Sequence, residues 1–401
     1  MEAAELDGII DGYRDSIIKL MSNIIKIKSV SPEAGGEGEG LRADFLEKEI
    51  SATGVECKRY NYTDSHGVQR PNIVCRIGEH ARTLWIVAHM DTVSEGDITL
   101  WKTDPFKAYV SKDRIYGRGT DDNGQGIVSA IFALKALQRS GIGLRYNFGI
   151  ALVADEELGS RYGIQKLLDE KIFDSSDLFL VPDWGNSRGD EIEIAEKGML
   201  WLRFKVTGKQ AHASVPEEGV NAYRYSSQLV LELDNALHRK YSRKDSIFEP
   251  SSSTFEMTKH EKNVDSINIV PGTDIFYIDC RVLPCYRLDD VIKDVVKISK
   301  SKAFRDVKVD VEVFNREDPA PQLDADSEVV ALLEKAISSS RGIVPSKVGI
   351  GGGTCAAFFR KRGMQAVVWA TLSGMAHQPN EYARIDNIIE DAKIFARMAL
   401  G

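Results

Sequence analysis

Leu84-Trp85-Ile86-Val87-Ala88-His89-Met90-Asp91-Thr92-Val93 is the stretch from which the fold can be read. Leu84 to Ala88 is an unbroken apolar run, of the kind that fills a strand buried on both faces. It stops at His89 and Asp91, and side chains two residues apart share one face of a strand. In an open α/β sheet, ligands bind beyond the carboxyl ends of the strands. Imidazole is the commonest metal-binding side chain, and a nearby carboxylate often sets its tautomer. A strand that merely ends in two solvated polar residues is the plainer reading. The rest of the chain separates the two.

The same ending recurs. Tyr146–Ala154 is apolar and runs into Asp155-Glu156-Glu157. Three successive carboxylates there are costly unless something cationic sits among them, although an acidic helix start after a strand is common. Leu178–Val181 ends in Pro182-Asp183. Ile115–Tyr116 leads through Gly117-Arg118-Gly119-Thr120-Asp121-Asp122-Asn123-Gly124 into a helical pattern from Gln125 to Leu137. A glycine-rich turn before a helix is a ready anion site. This one matches neither the dinucleotide nor the P-loop spacing, and its aspartates suit a cation. Histidine and carboxylate ligands together suit zinc, with manganese or cobalt as substitutes.

A chain of 401 residues is too long for one ordinary core, so two domains are expected. Hydrophobic residues at 43% and charged residues at 28% place it among soluble globular proteins. The formal charge is −8 and no basic stripe is present, which argues against a nucleic-acid partner. No apolar run approaches the roughly 20 residues of a membrane helix. The acidic stretch Met1–Asp15 lacks a signal-peptide pattern. The cysteines at 57, 75, 280, 285 and 355 lack the spacing of a zinc or redox site. They read as free thiols in a reducing cytoplasm.

Ile9–Ile27 carries apolar residues at helical spacing and predicts one amphipathic helix; Leu41–Thr53 predicts a second. Val55–Tyr62 and Asn72–Ile77 read as strands around a polar turn. From about Ile194 the texture changes. Strand Met199–Thr207, helix Ala222–His238, strands Ser253–Lys259 and Asp274–Leu283, helix Leu288–Ser301 and strand Val307–Phe314 follow in turn. That β-α-β-β-α-β order is the ferredoxin-like arrangement. The expected organisation is an α/β catalytic domain made of 1–196 and 317–401, interrupted by an inserted α+β domain at 197–316. After the insert come helix Asp326–Ser338, the Gly-rich turn Gly349–Thr354, strand Ala366–Ala370 and Gly374–Tyr382, before a final helix.

Seven stretches, in order, resemble those of a known family. They are His89-Met90-Asp91, Gly117–Asp122, Asp155-Glu156-Glu157, Pro182-Asp183, Gly208–Ser214, Asn268–Gly272 and Ala376-His377-Gln378-Pro379-Asn380-Glu381. The family is that of the co-catalytic zinc aminoacylases, acetylornithine deacetylase, succinyl-diaminopimelate desuccinylase, glutamate carboxypeptidase and carnosinase-type dipeptidases. The resemblance spans nearly the whole chain. It implies a zinc-peptidase-like catalytic domain, with a mixed sheet flanked by helices, and an inserted lid and dimerisation domain.

It also implies roles. His89 and Asp183 bind one zinc, Glu157 and His377 the other, and Asp122 bridges them, giving two Zn2+ per subunit with Co2+ or Mn2+ as substitutes. Asp121 is the rival bridge; the sixth place from the first glycine of Gly-Arg-Gly selects Asp122, and a cis peptide is expected after it. Asp91 orients His89. Glu156 is the general base that takes a proton from a water shared by metals about 3.5–4 Å apart. His212 reaches the partner subunit's active site to stabilise an oxyanion, which implies a homodimer through the insert. Asn268, Arg281, Gly353 and Thr354, with Gly352 beside them, hold substrate, Arg281 being suited to a carboxylate. The histidines at 66, 80, 238 and 260 are expected to face solvent.

Two departures bear on substrate. Asp183 stands where desuccinylases and deacetylases commonly carry Glu and dipeptidases carry Asp. Gly-Gly-Gly-Thr continues as Cys355-Ala356-Ala357-Phe358, where desuccinylases have Ser-Asp-Gly-Arg. The leading expectation is a dinuclear metal amidohydrolase acting on an N-acyl amino acid or small peptide. The alternatives are a dipeptidase or carboxypeptidase of the same family, and a metal-bound scaffold or sensor without turnover, against which stands the presence of Glu156.

Overall fold

Eight strands form one mixed sheet in the computed structural model, which describes residues 2–401. Their order is Cys57–Thr63, Gln69–Ile77, Asn147–Val153, Thr83–His89, Leu178–Val181, Gln365–Val368, Glu191–Glu196 and Ser346–Ile350. The strand Thr83–His89 is buried along its whole length and has parallel neighbours on both sides, Asn147–Val153 and Leu178–Val181. Antiparallel pairing is confined to the flanks.

Alternate residues of these strands serve two cores, as the pleat requires. Leu84, Ile86, Ala88, Ile150 and Leu152 pack with helices Arg14–Lys26, Gln125–Ser140, Glu328–Arg341 and Ile385–Leu400. Trp85, Val87, Ala151 and Val153 pack on the other side with helices Ile164–Asp169 and Ala356–Arg360. Gly149 is required at one crossing, since a Cβ there would lie 2.3 Å from the Trp85 ring.

Contacts divide the chain into two units. One comprises residues up to Ile194, Leu323–Lys347 and Thr354–Gly401; the other comprises Ala195–Gln322 and Val348–Gly353. In the second unit an antiparallel sheet runs in the order Thr254–His260, Thr273–Val282, Gly198–Thr207, Lys308–Glu317. One face is apolar, through Leu200, Leu202, Phe204 and Val206, and packs on helices Ala222–Lys240 and Leu288–Ser299. The short segment Val348–Gly353 belongs with this unit, not with the residues that follow it.

Two expectations are corrected. The single helix over Ile9–Ile27 is two, Glu2–Asp11 and Arg14–Lys26, parted at Gly12-Tyr13; glycine is a poor helix residue, and the apolar periodicity ran through the break unaltered. Cys57 and Cys75 are not free thiols but a disulfide. Hairpin pairing sets them directly opposite with Cα atoms 4.4 Å apart, a juxtaposition that sequence spacing does not reveal. Cys280, Cys285 and Cys355 are free. Among the described residues no helix is long and apolar enough to cross a membrane.

Candidate metal centre

Parallel pairing gathers the acidic strand endings at one end of the sheet. His89 pairs with Val153, three residues before Glu156. Leu84 pairs with Leu178 and Ile86 with Leu180, so the same count carried forward sets Asp183 beside His89. Asp122 arrives differently. The strand before it, Arg114–Tyr116, lies in a separate three-stranded sheet, and Asp122 itself sits in the turn Thr120–Gly124 that opens helix Gln125–Ser140. The Asp122–Asn123 peptide is cis. His377 is delivered by the loop after the Gln365–Val368 strand, with a left-handed φ of 64°.

Two groups of potential ligand atoms result, His89/Asp122/Asp183 and Asp122/Glu157/His377, each within 4.8 Å. Asp122 belongs to both. Its Oδ1 lies 2.8 Å from His89 Nε2 and its Oδ2 3.1 Å from His377 Nε2. Asp183 Oδ1 is 3.2 Å from His89 Nε2, and Glu157 Oε2 is 3.0 Å from His377 Nε2. Asn123 Nδ2 donates to Asp183 Oδ1 at 2.7 Å and steadies that carboxylate.

The electrostatics favour a cation here. His89 Nδ1 lies 3.0 Å from the backbone carbonyl of Asp91, an obligatory acceptor, so Nδ1 carries hydrogen and Nε2 faces the carboxylates. Burial opposes charge on the His89 ring, yet Asp183, Asp122 and Asp91 together raise its pKa well above the ordinary value. Hydrogen bonds donated to the Asp122 and Glu157 carboxylates push His377 up to about 10. Burial disfavours the Asp122 anion, but the two imidazoles prevail and hold its pKa below the carboxylate range. Whatever holds a proton on these rings also favours a metal in its place. A shared carboxylate, two imidazoles and two further carboxylates fit divalent zinc, cobalt or manganese.

Glu156 stands apart from these pairings. Its side chain makes no hydrogen bond or ion pair among the described residues. Burial, with Asp183 and Glu157 close by, raises its pKa well above the usual value. Its backbone, by contrast, is held: the Asp91 carboxylate accepts the N–H of Glu156 through Oδ1 and that of Glu157 through Oδ2, both at 3.0 Å. The closer contact of Asp91 with the His89 ring is through its backbone carbonyl, with the carboxylate at 3.5 Å.

A supporting layer escaped sequence reading. Fully buried Glu381 accepts the N–H groups of Asp121 and Asp122 on Oε1, and those of Gly119 and the Arg118 guanidinium on Oε2. Asp121, the rival bridge, accepts Ser373 N–H and Met375 N–H instead and so braces the loop that carries His377. Burial pushes Asp121 up to about 6. Buried Arg70 pairs with Glu39, whose Oε1 also accepts the N–H of Asp155. Glu381 lay within a quoted motif, but nothing in the sequence around Glu39 or Arg70 signalled a partner.

In the second unit, His212 is exposed on a two-residue strand paired with Ile269–Val270. Ser214 N–H donates to His212 Nδ1, so the neutral ring carries hydrogen on Nε2. Asn268 lies on the neighbouring segment, its carbonyl accepting Ala213 N–H at 2.9 Å. Arg281 bonds Asp279 through Nε and Nη2 and the Gly351 carbonyl through Nη1. Gly353 belongs to this unit and Thr354 to the other. The histidines at 66, 80, 238 and 260 are exposed.

The class that this fold and site belong to, by the family match, is that of metal-dependent hydrolases acting on C–N bonds. The chain belongs to peptidase family M20/M25/M40, whose model matches residues 85–401. It is 38% identical over 402 residues to an uncharacterized metallohydrolase of Methanocaldococcus jannaschii, covering 95% of this chain and 98% of the relative. It is 25% identical over 389 residues to succinyl-diaminopimelate desuccinylase of Nautilia profundicola, covering 95% and 98%. A tripeptidase from Staphylococcus aureus shares the fold at a TM-score of 0.78 and 19% identity, covering 96% and 97%.

Proposed function

We propose that the protein is a dinuclear amidohydrolase that cleaves an N-acyl amino acid or small peptide bearing a free carboxylate. His89 and Asp183 would hold one metal, Glu157 and His377 the other, with Asp122 shared; zinc is the proposed ion, two per subunit. When bound, such a pair supplies Lewis acidity toward a carbonyl and lowers the pKa of water. The carboxylate of Glu156 takes the proton of the attacking water and delivers it to the leaving nitrogen. His212, with hydrogen on Nε2, donates to the developing oxyanion in the partner of a homodimer built through the second unit. Arg281 receives the substrate carboxylate, and Asn268, Gly353 and Thr354 are the further proposed substrate contacts.

The observation that carries this reading is the unpartnered carboxylate of Glu156 beside two ligand groups that share Asp122. Glu156→Ala is expected to keep both metals by elemental analysis and to lose nearly all turnover. Near-normal turnover would remove Glu156 from its role. A dipeptidase is the second reading, favoured by Asp183 and by the apolar Ala356-Ala357-Phe358. Chelator-sensitive cleavage of N-succinyl-diaminopimelate against a simple dipeptide separates the two.

A further inference from the structure

The face of the second unit's sheet turned away from its helices carries a row of charged groups that the register makes legible. Met199 on the strand Gly198–Thr207 pairs with Arg281 on one side and Glu317 on the other. Paired residues of antiparallel strands project to the same face. Arg281 and Glu317 therefore flank Met199 on one face, two strand spacings or roughly 10 Å apart at the backbone.

A bulge decides that Glu317 takes this place. The Lys308–Glu317 strand slips register between Val313 and Asn315. Ahead of the slip Val313 faces Leu202; beyond it Asn315 faces Trp201 and Glu317 faces Met199. Continued without the slip, the pairing would set Arg316 opposite Met199. Bulges re-aim side chains in this manner. Here the effect is to set an acid, not a second base, in the row with Arg281.

The Arg281 end of the row is held on two sides, and the Glu317 end is free. Asp279 grips one edge of the Arg281 guanidinium through Nε and Nη2 at 2.7 and 3.0 Å, and is itself fixed by Trp201 Nε1 at 3.0 Å. The Gly351 carbonyl takes one Nη1 hydrogen at 3.0 Å. One hydrogen on each Nη has no partner among the described residues and is left for a carboxylate. Glu317 is half-buried and makes no hydrogen bond or ion pair among the described residues. Gly351-Gly352-Gly353 joins the two ends: Arg281 bonds Gly351, and a Cβ on Gly353 would lie 3.0 Å from Glu317 Oε2. None of the three has a positive φ, and a Cβ on Gly351 or Gly352 would meet open space. Neither conformation nor internal packing calls for glycine at those two, which leaves bare backbone for a ligand to approach.

We propose that Arg281 and Glu317 form a two-ended charge site that selects substrates carrying a carboxylate at one end and a protonated amine at the other. A free short peptide or a diamino-acid conjugate has both charges; a simple N-acyl amino acid lacks the second. This rests on the reading of Arg281 as the substrate-carboxylate group. Glu317 would be the specificity determinant, acting on the cation.

The test uses the metal-loaded full chain and two arms. In calorimetric titrations, ε-aminocaproate is expected to bind at least tenfold tighter than caproate or hexylamine. Glu317→Gln should weaken ε-aminocaproate at least fivefold and leave caproate within twofold. In hydrolysis, the same variant should raise KM at least tenfold for a free dipeptide and leave KM for its N-acetyl counterpart within twofold, with an unchanged melting curve. Equal binding of ε-aminocaproate and caproate, or equal losses on all ligands in Glu317→Gln, overturns the proposal. Absence of any amide hydrolysis would instead overturn the proposed function, and the titrations would still decide the role of Glu317.

Discussion

Asp91 Oδ1 accepts the backbone N–H of Glu156 at 3.0 Å, so the residue two beyond His89 holds the peptide that carries the proposed base. Asp91→Ala leaves in place the backbone carbonyl that orients the His89 ring, but strips two part-buried N–H groups of their acceptor. The expected result is a fall in kcat of about 100-fold from misplacement of Glu156, with metal content retained. Steady-state kinetics beside elemental analysis check it, and unchanged kcat would sever Asp91 from Glu156.

Glu381 fixes the turn from which Asp122 projects, through both of its oxygens. Glu381→Gln turns one acceptor into a donor facing N–H groups. Metal affinity should drop about 10- to 100-fold, as for other groups that orient ligands. Competition with a chromophoric chelator measures it. Wild-type affinity in the variant would show that the turn holds without this carboxylate.

Arg360 and Glu193 form a buried bidentate pair at 2.8 Å for both contacts, and Arg360 Nε also caps the carbonyl of Ala366. Arg360→Met strands a buried carboxylate, with an expected loss of about 3–5 kcal/mol. Urea denaturation of the full chain reads it. A companion Glu193→Gln change on the same background should recover part of the loss, because the stranded charge is then gone.

Asp294 in the second unit shows how pH enters. Burial works against its anion, but Lys240 Nζ and the Tyr241 hydroxyl both donate to Oδ2 and lower its pKa. A depressed folded value gives stability that is present above the unfolded pKa of about 3.9 and is lost as pH falls through the folded value. Asp294→Asn should therefore lower Tm at neutral pH, by the equivalent of about 0.2–1 kcal/mol for a half-exposed pair. The gap from wild type should close in acid. A gap that persists unchanged below the folded pKa would assign the effect to packing.

Much of the first unit was readable because burial leaves a local trace. A strand covered on both faces is apolar at every position, so Leu84–Ala88, Tyr146–Ala154 and Leu178–Val181 declared themselves, and their polar endings marked the ligand side of the sheet. Strands Glu191–Glu196 and Ser346–Ile350 went unread because their charged residues break the apolar pattern. Glu193, for one, is a buried carboxylate paired with Arg360, a partner far away in sequence.

The sequence by itself determined the order of elements and the donor residues, since residue type and short-range periodicity are properties of the chain. Tertiary structure alone decided the pairings between distant segments. It gave one oxygen of Asp122 to each imidazole, turned Asp121 to the His377 loop, set Cys57 against Cys75, and let one bulge bring Glu317 rather than Arg316 into line with Arg281. These depend on register and loop packing, where a shift of one residue exchanges the faces of a strand and leaves composition and periodicity unchanged.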